Sequence, residues 1–288
     1  MTLSIRPHAS DFAADAMGID LAQPLDDATY HAWKLAFEKH RVLVLHGQHF
    51  NDDRHVAFSK RFGPLEAFPE EEMCARGHNT ILRVSNVHRD TGEFLTMKDA
   101  AYASFVLGTS EWHIDSSYRR MPSRCSFLLA REVPASGGDT MFANMAMAYA
   151  ALPDAKKTEL EGVYAIHEFG AMAQKKGAPA KTPEVRTKNP PVRHPLVQRL
   201  PNGERALFLG SHIDTLDGMG GEQAQSLIAE MTEWATRPEF TYRHKWNVGD
   251  MVMWDNLATM HRGMPYERAG DRRVLQRTTV AGDWAIAA

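Results

Sequence analysis

The tripeptide His-Ile-Asp occurs twice in the sequence, as residues 113–115 and 212–214. In a β-strand the side chains of residues i and i+2 lie on one face, so the histidine and carboxylate of either copy can take two adjacent positions on a metal ion. A histidine from elsewhere would complete a two-histidine, one-carboxylate set, which holds Fe(II) in oxygenases and leaves other positions open. His261, in "MHRGMPYER", is a candidate for that third ligand. The tripeptide alone does not decide which copy binds metal.

An arginine-rich stretch, "AGDRRVLQRTT", follows His261. If it forms a strand, alternation places Arg273, Leu275 and Arg277 on one face. Arg272 then lies on the opposite face. Two arginines on an inward face cost free energy unless they bind an anion, and a guanidinium can bind a carboxylate through two parallel hydrogen bonds. The pattern therefore indicates a dicarboxylate co-substrate or an acidic substrate, or else a salt-bridged strand at the surface.

These side chains need a scaffold, and the pattern along the chain predicts one built mainly from short strands. Strand-like runs separated by Gly- and Pro-rich turns are "FLLAREV", "TMFANM", "VYAIHEF", "RALFLG", "FTYRHKW", "MVMWDN" and "VLQRTTVAG". Helices are predicted in "LDDATYHAWKLAFEKH", "NDDRHVAFSKRFG", part of "ANMAMAYAALPDAKKTELEG" and "GEQAQSLIAEMTEWATR". We expect a mainly β (α+β) fold, a sandwich or barrel such as a jelly roll, with the helices packed outside.

Local signals refine this prediction. Asp26 or Asp27 is expected to cap the first helix, and Asn51 the second, because both residue types accept hydrogen bonds from free N–H groups at a helix start. Residues 64–110 show little periodicity apart from the strand "ILRVSNV", which is typical of a lid or binding loop. We expect one domain over residues 1–288, with this segment as an active-site loop.

Composition narrows the class of protein. Lys and Arg number 33 against 36 Asp and Glu, a formal charge of -3, and no basic run would suit a phosphate backbone. No apolar stretch is long enough for a membrane span, the start of the chain lacks a signal-peptide pattern, and Cys74 and Cys125 form no CxxC pair. We expect a cytoplasmic, homo-oligomeric protein whose partner is a small anionic molecule, not nucleic acid or membrane.

Five sequence stretches, taken in their order along the chain, indicate a protein family. The stretches "WHIDSSY", "PASGGDTMFANM", "HPLVQRLPNGERALFLG", "RHKWNVGDMVMWDN" and "MHRGMPYERAGDRRVLQRTT" resemble those of the Fe(II)/2-oxoglutarate-dependent taurine and 2,4-dichlorophenoxyacetate dioxygenase family (TauD/TfdA type). The resemblance runs from "RVLVLHGQHF" to "VAGD" and is closest to the branch that cleaves aryloxyalkanoate ethers. It implies a double-stranded β-helix (jelly roll) core with flanking helices.

The resemblance also implies a metal site at His113, Asp115 and His261. In the family the ligand pair lies upstream of a threonine and the last ligand far downstream, on core strands. Between His212 and His261 there is room for mostly one helix and about one strand, so the second copy of the tripeptide lacks the chain that such a fold needs. The first copy is therefore predicted to hold the metal.

Binding roles follow in the same way. The family's 2-oxoglutarate threonine corresponds to Thr140 and its salt-bridging arginine to Arg273, with Arg277 near the co-substrate's other carboxylate and the substrate's anionic group. Strand alternation independently separates these two arginines from Arg272. His212 and Ile213 are candidate substrate contacts, although His212 could equally be a hydrogen-bonded structural histidine. No catalytic residue beyond the metal site is predicted.

The implied activity uses Fe(II), with 2-oxoglutarate and O2 as co-substrates. 2-Oxoglutarate gives succinate and CO2 while a substrate C–H bond is hydroxylated, and a carbon that bears an ether oxygen or a sulfonate then loses it. Aryloxyalkanoate ether cleavage is the expected net reaction, with an alkylsulfonate (taurine-type) dioxygenase as the alternative. A carboxylate at Asp115 favours hydroxylation over halogenation. A metallohydrolase or isomerase on the same fold is a weaker alternative, because Thr140 and Arg273 would have no purpose there. The intact ligand set speaks against a catalytically silent binding protein.

Overall fold

The computed structural model of the chain describes residues 2–9, 12–68, 70–178, 181–268 and 270–287. Strands are β1 (Ser4–Pro7), β2 (Ala14–Met17), β3 (Val42–Leu45), β4 (Cys74–Ala75), β5 (His78–Ser85), β6 (Cys125–Glu132), β7 (Thr140–Asn144), β8 (Tyr164–His167), β9 (Val192–Pro195), β10 (Val197–Arg199), β11 (Arg205–Leu207), β12 (Ile213–Leu216), β13 (Thr241–His244), β14 (Met251–Asp255), β15 (Thr259–Gly263) and β16 (Val274–Val280). Helices are α1 (Asp27–His40), α2 (Asp52–Ser59), α3 (Ala100–Thr109), α4 (Met145–Ala150), α5 (Asp154–Leu160), α6 (Ala171–Lys175), α7 (Pro183–Lys188) and α8 (Gly221–Ala235). The fold is thus mixed α/β, with several sheets.

The largest sheet is eight-stranded, in the order β1-β2-β3-β14-β6-β16-β5-β4. Alternation along β3, β6 and β14 puts Leu43, Leu129 and Met253 on one face, where they pack against Trp33 of α1 and Phe58 of α2. This burial of apolar surface holds the two N-terminal helices on the outside of the sheet.

The opposite face of the large sheet packs against a three-stranded sheet in the order β13-β7-β15. Leu128 of β6 and Leu275 of β16 meet Phe142 of β7 in one buried cluster. The strands β7, β15 and β16, which carry candidate site residues, therefore lie at the interface of the two sheets.

A third apolar cluster lies around the three-stranded sheet β12-β8-β9 and the pair β10-β11. Helix α8 contributes Ala224, Leu227 and Met231, which recur at helical spacing and are buried. Leu207 and Phe208 belong to the same cluster. Among the described residues no helix has the length and apolarity required to span a bilayer.

Most local predictions are confirmed. The side chain of Asp26 accepts a hydrogen bond from the Thr29 N–H at 2.7 Å, and Asn51 accepts one from the Arg54 N–H at 3.0 Å, so each caps its helix as expected. Each predicted strand run contains a strand, although the bounds differ by a few residues.

Residues 64–110 differ from the prediction. This segment contains the eight-residue strand β5, which pairs with β16 inside the large sheet, and the ten-residue helix α3. The sequence of this helix, "AAYASFVLGT", spreads apolar residues around the axis, so it lacks the amphipathic periodicity that predicts a helix. Asp99 at its start makes no side-chain capping bond. The expectation of a loop with one short strand was therefore wrong in its details.

Candidate metal centre

Three buried side chains converge at the interface of the two sheets. One ligand atom each from His113, Asp115 and His261 can be chosen so that all lie within 4.8 Å of one another. His113 Nε2 is 4.0 Å from Asp115 Oδ1, and His261 Nε2 is 3.9 Å from Asp115 Oδ2. Such spacing is what one metal ion would require of three ligands.

Backbone pairing explains why the two histidines meet. The N–H of His113 donates to the carbonyl of His261 at 2.9 Å, and the reverse bond is also 2.9 Å. His261 lies within β15. His113 forms only an isolated bridge, and Asp115 lies in a turn. The expectation that a regular strand presents the His-x-Asp pair was therefore wrong; Ser116, with φ of 55°, turns the chain directly after Asp115.

The protonation states of the three groups suit a divalent cation. Burial lowers the pKa of His113 and that of His261, so both rings are neutral and can offer a lone pair. The Nδ1–H of His113 donates to the Glu111 carbonyl at 2.8 Å, which leaves Nε2 free as a ligand. Burial alone would raise the pKa of Asp115, but the Arg277 guanidinium and the hydrogen bond from Ser126 hold it below its usual range. Two neutral imidazoles and a carboxylate fit Fe(II).

A buried chain of hydrogen bonds orients the carboxylate. Ser126 Oγ donates to Asp115 Oδ2 at 2.9 Å, and Asn256 Nδ2 donates to Ser126 Oγ at 3.0 Å. Trp254 Nε1 in turn donates to Asn256 Oδ1 at 2.8 Å. Ser126 and Asn256 were not among the predicted site residues, because a polar residue near the end of an apolar strand is their only signal in the sequence.

A cavity opens beside the three ligands. Its lining includes His113 and His261 together with Thr140, Arg273 and Arg277. Helix α3 covers it with Tyr102, Phe105, Val106 and Thr109. The predicted site residues other than His212 and Ile213 are therefore brought together.

Arg273 is buried and forms no salt bridge with any described carboxylate. Its Nε donates to the Gly138 carbonyl at 3.0 Å, and its backbone N–H donates to Asn86 Oδ1 at 2.8 Å. Burial lowers the pKa of Arg273 to about 10, so the guanidinium stays charged inside the protein. Arg272, by contrast, lies outside and pairs with Glu132 at 2.6 Å. The alternation predicted for this strand holds, despite a register shift between residues 274 and 275.

Residues 4–279 match the family described as "Taurine catabolism dioxygenase TauD, TfdA family". The chain belongs to this family.

Individual TauD/TfdA relatives agree with that assignment. An alpha-ketoglutarate-dependent 2,4-dichlorophenoxyacetate dioxygenase from Cupriavidus pinatubonensis is 36% identical over 290 residues, covering 99% of this chain and 100% of the relative. An (S)-phenoxypropionate/alpha-ketoglutarate-dioxygenase from Sphingobium herbicidovorans is 30% identical, with coverage of 97% and 95%. The crystal structure of AAD-2 in complex with Mn(II) and N-oxalylglycine superposes with a TM-score of 0.90 at 36% identity, over 100% of both chains.

The second tripeptide of this TauD/TfdA chain lies next to the first but outside the cavity lining. The Ser211 N–H donates to the Trp112 carbonyl at 2.8 Å. The His212 ring meets Tyr118 edge-on with centroids 5.0 Å apart, and burial lowers the pKa of His212 to about 3. Ile213 is buried at the start of β12. These contacts fit a neutral packed histidine; a substrate contact at His212 or Ile213 stays a prediction.

Proposed function

We propose that the protein is an Fe(II)- and 2-oxoglutarate-dependent dioxygenase that hydroxylates a small anionic organic molecule, with cleavage of an aryloxyalkanoate ether as the net reaction. One observation carries the proposal: the cavity lined by His113 and His261, two of the three converging ligands, is also lined by the buried Arg273, which has no salt-bridged carboxylate among the described residues. A site that only activated water for hydrolysis would not need that free cation.

His113, Asp115 and His261 would hold Fe(II) and leave other positions for the co-substrate and O2. The bound metal would supply the oxidation, in which 2-oxoglutarate gives succinate and CO2 and a substrate C–H bond gains an oxygen atom. The protein keeps the ligands in place: Ser126 holds one oxygen of Asp115, and His113 is fixed through the Glu111 carbonyl.

Arg273 and Thr140 would bind the far carboxylate of 2-oxoglutarate. The guanidinium is held in position by the Gly138 carbonyl and lies near the Tyr266 ring, at 5.7 Å from its centroid. A carboxylate here would gain strong charge-assisted hydrogen bonds because the pocket excludes water. Binding would also relieve the cost of burying an unpaired cation.

Arg277 would act on both the ligand set and the substrate. Its Nη1 donates to Asp115 Oδ1 at 2.5 Å, and its guanidinium carbon lies 6.0 Å from the Phe68 ring centroid. An anionic group on the substrate would bring the adjacent carbon towards the metal ligands. For an aryloxyacetate, hydroxylation of the carbon next to the ether oxygen gives a hemiacetal, which breaks into a phenol and a 2-oxo acid.

Both relatives are named for aryloxyalkanoates, 2,4-dichlorophenoxyacetate and (S)-phenoxypropionate, which supports an aryloxyalkanoate substrate. The family is also named for taurine catabolism, which supports the second candidate, an alkylsulfonate, in which hydroxylation beside the sulfonate would release sulfite.

We also propose that the facing sheets form a double-stranded β-helix (jelly roll), in one domain over residues 1–288, and that residues 64–110 form the cover of the active site. The contact of α3 with the cavity supports this role for the segment. A cytoplasmic location and a homo-oligomeric assembly remain predictions.

The test is oxygen uptake and succinate formation by anaerobically purified protein reloaded with Fe(II). Phenoxyacetate and 3-phenylpropionate form a matched pair, since only the first can release phenol after hydroxylation. Taurine and longer alkylsulfonates test the second candidate through sulfite release. If no substrate in the panel stimulates succinate formation that needs both Fe(II) and O2, the proposed function is wrong.

A further inference from the structure

Trp246 is a buried residue just after β13, and the Thr140 hydroxyl is its hydrogen-bonding partner. Trp246 Nε1 donates to Thr140 Oγ1 at 3.0 Å, and both residues are buried. Neither residue is a metal ligand, and Trp246 does not line the cavity that Thr140 lines. Trp246 therefore contacts Thr140 from outside the cavity lining.

The chemistry of the two groups fixes the direction of this bond. An indole N–H can only donate, whereas a hydroxyl has one hydrogen and two lone pairs. Thr140 Oγ1 must therefore accept from Trp246, and its own hydrogen must point elsewhere. Among the described residues no acceptor for that hydrogen is found within bonding distance of Thr140. The free direction is the cavity, where Arg273 also lies.

Trp246 is held firmly enough to impose this direction. Its ring meets His244 edge-on, at 4.5 Å between centroids and 87° between planes. His244 pairs with Thr140 in the register of β13 and β7, and its Nε2 lies 3.2 Å from Asp250 Oδ2. The indole is also part of the apolar cluster between the two sheets. Because the ring cannot turn away, the Thr140 hydroxyl stays oriented before any ligand arrives.

We propose that Trp246 is a positioning residue that sets Thr140 as a hydrogen-bond donor to the far carboxylate of 2-oxoglutarate. This inference rests on the proposed function, since it takes Thr140 to contact the co-substrate. Preorganisation of a donor strengthens binding because the ligand need not reorient the hydroxyl. Trp246 thereby selects a 2-oxo acid with a second carboxylate over one without it.

The experiment compares W246F, which keeps an aromatic ring but removes the N–H, with T140V, which removes the hydroxyl at nearly constant volume. Protein loaded with Mn(II) is titrated anaerobically with 2-oxoglutarate and with 2-oxopentanoate, which lacks the far carboxylate. W246F should weaken 2-oxoglutarate binding about 3- to 10-fold and T140V about 10- to 100-fold, from the usual strengths of neutral and charge-assisted hydrogen bonds. Binding of 2-oxopentanoate should change less than twofold in both.

A double variant separates positioning from packing. In the T140V background, W246F should cause no further loss of 2-oxoglutarate affinity, since the hydroxyl that it orients is gone. W33F is the control, because Trp33 is fully buried on the other face of the large sheet, and this variant should bind 2-oxoglutarate as the wild type does. When 2-oxoglutarate is varied, W246F should raise the KM for 2-oxoglutarate. Its kcat, reached at saturating 2-oxoglutarate, should stay within about twofold of the wild-type value.

The outcomes are distinct. If W246F weakens both 2-oxo acids equally, or if its effect persists in T140V, Trp246 only fills space and the inference fails while the proposed function stands. If T140V itself has no effect, Thr140 does not contact the co-substrate, and that part of the proposed function fails. Should W246F not fold, benzothienylalanine at position 246 replaces only the N–H by sulfur, and the same outcomes decide.

Discussion

The two copies of His-Ile-Asp have the same sequence and lie side by side, yet among the described residues only the first belongs to a cluster that could hold a metal. The side chain of Asp115 is 6% exposed and faces both His113 and His261. The side chain of Asp214 is 46% exposed, and the nearest cation is Lys175 at 3.7 Å. One carboxylate is thus desolvated and surrounded by potential ligands, whereas the other is a solvated surface group.

The cause of the difference lies in the backbone around each copy. His113 is bridged to β15, which brings His261 beside it. Around the second copy, β12 pairs with β8, with a register shift between Ile213 and Thr215 that leaves Asp214 out of the ladder. The His-x-Asp spacing therefore permits a metal site, but the strand that pairs with the motif determines whether a third ligand lies beside it.

The strongest test of this comparison replaces each carboxylate in turn. Asp115→Ala should lower Fe(II) affinity at least about 100-fold and abolish turnover, because changes even in residues behind the ligands cost about 10- to 100-fold. Asp214→Ala should leave Fe(II) affinity within about twofold of the wild type. Anaerobic titration monitored by metal content would measure both. Equal loss of iron in the two variants would show that the copies have been distinguished wrongly.

The candidate ligand cluster could be predicted because the order of the motifs, on which the resemblance rests, is written along the chain, and strand alternation separates Arg273 and Arg277 from Arg272. The binding roles of these residues stay predictions. Thr140, Arg273 and Arg277 do line one cavity with the two histidines. The local elements were also predictable, since Asp26 and other capping residues act within three positions of themselves.

What the sequence did not reveal depends on contacts between distant segments. Ser126 and Asn256 lie 130 positions apart and meet only when β6 and β14 pair. Helix α3 has no amphipathic stripe because part of its apolar surface covers the cavity rather than a core. The turn at Asp115 replaces the expected strand because Ser116 adopts a positive φ, which no local residue preference predicts.

A second test concerns Arg273, the buried arginine in the cavity beside the first copy. Arg273→Ala should raise the KM for 2-oxoglutarate about 10- to 100-fold, the usual range for losing hydrogen bonds to a charged group. Arg272→Ala should change it less than twofold, because Arg272 already pairs with Glu132 at the surface. Steady-state succinate formation at varied 2-oxoglutarate measures both. The reverse ranking would mean that the strand register is wrong.

A third test targets the hydrogen bonds behind each carboxylate. Ser126→Ala removes the donor to Asp115 Oδ2 and should weaken Fe(II) binding about 10-fold. Lys175→Ala removes the cation near Asp214 and should not change Fe(II) binding, since exposed ion pairs contribute little. Competition with a coloured chelator would give both affinities. An unchanged affinity in Ser126→Ala would show that the position of Asp115 does not depend on this bond.

The smallest expected effect on Fe(II) affinity comes from a substitution at the contact between the two copies. Gly210 has φ of 136°, and an added Cβ would lie 3.1 Å from the His113 Cα. Gly218, after the second copy, has φ of 74° and nothing within 4 Å of that position. Both glycine-to-alanine changes should cost about 1 kcal/mol of unfolding free energy from backbone strain, measured in urea. Only Gly210→Ala should also weaken Fe(II) binding, by a few-fold, because its methyl group pushes the His113 backbone. If Gly218→Ala had the same effect on iron, general destabilisation would explain both, and the contact between the copies would have no part in positioning the ligand.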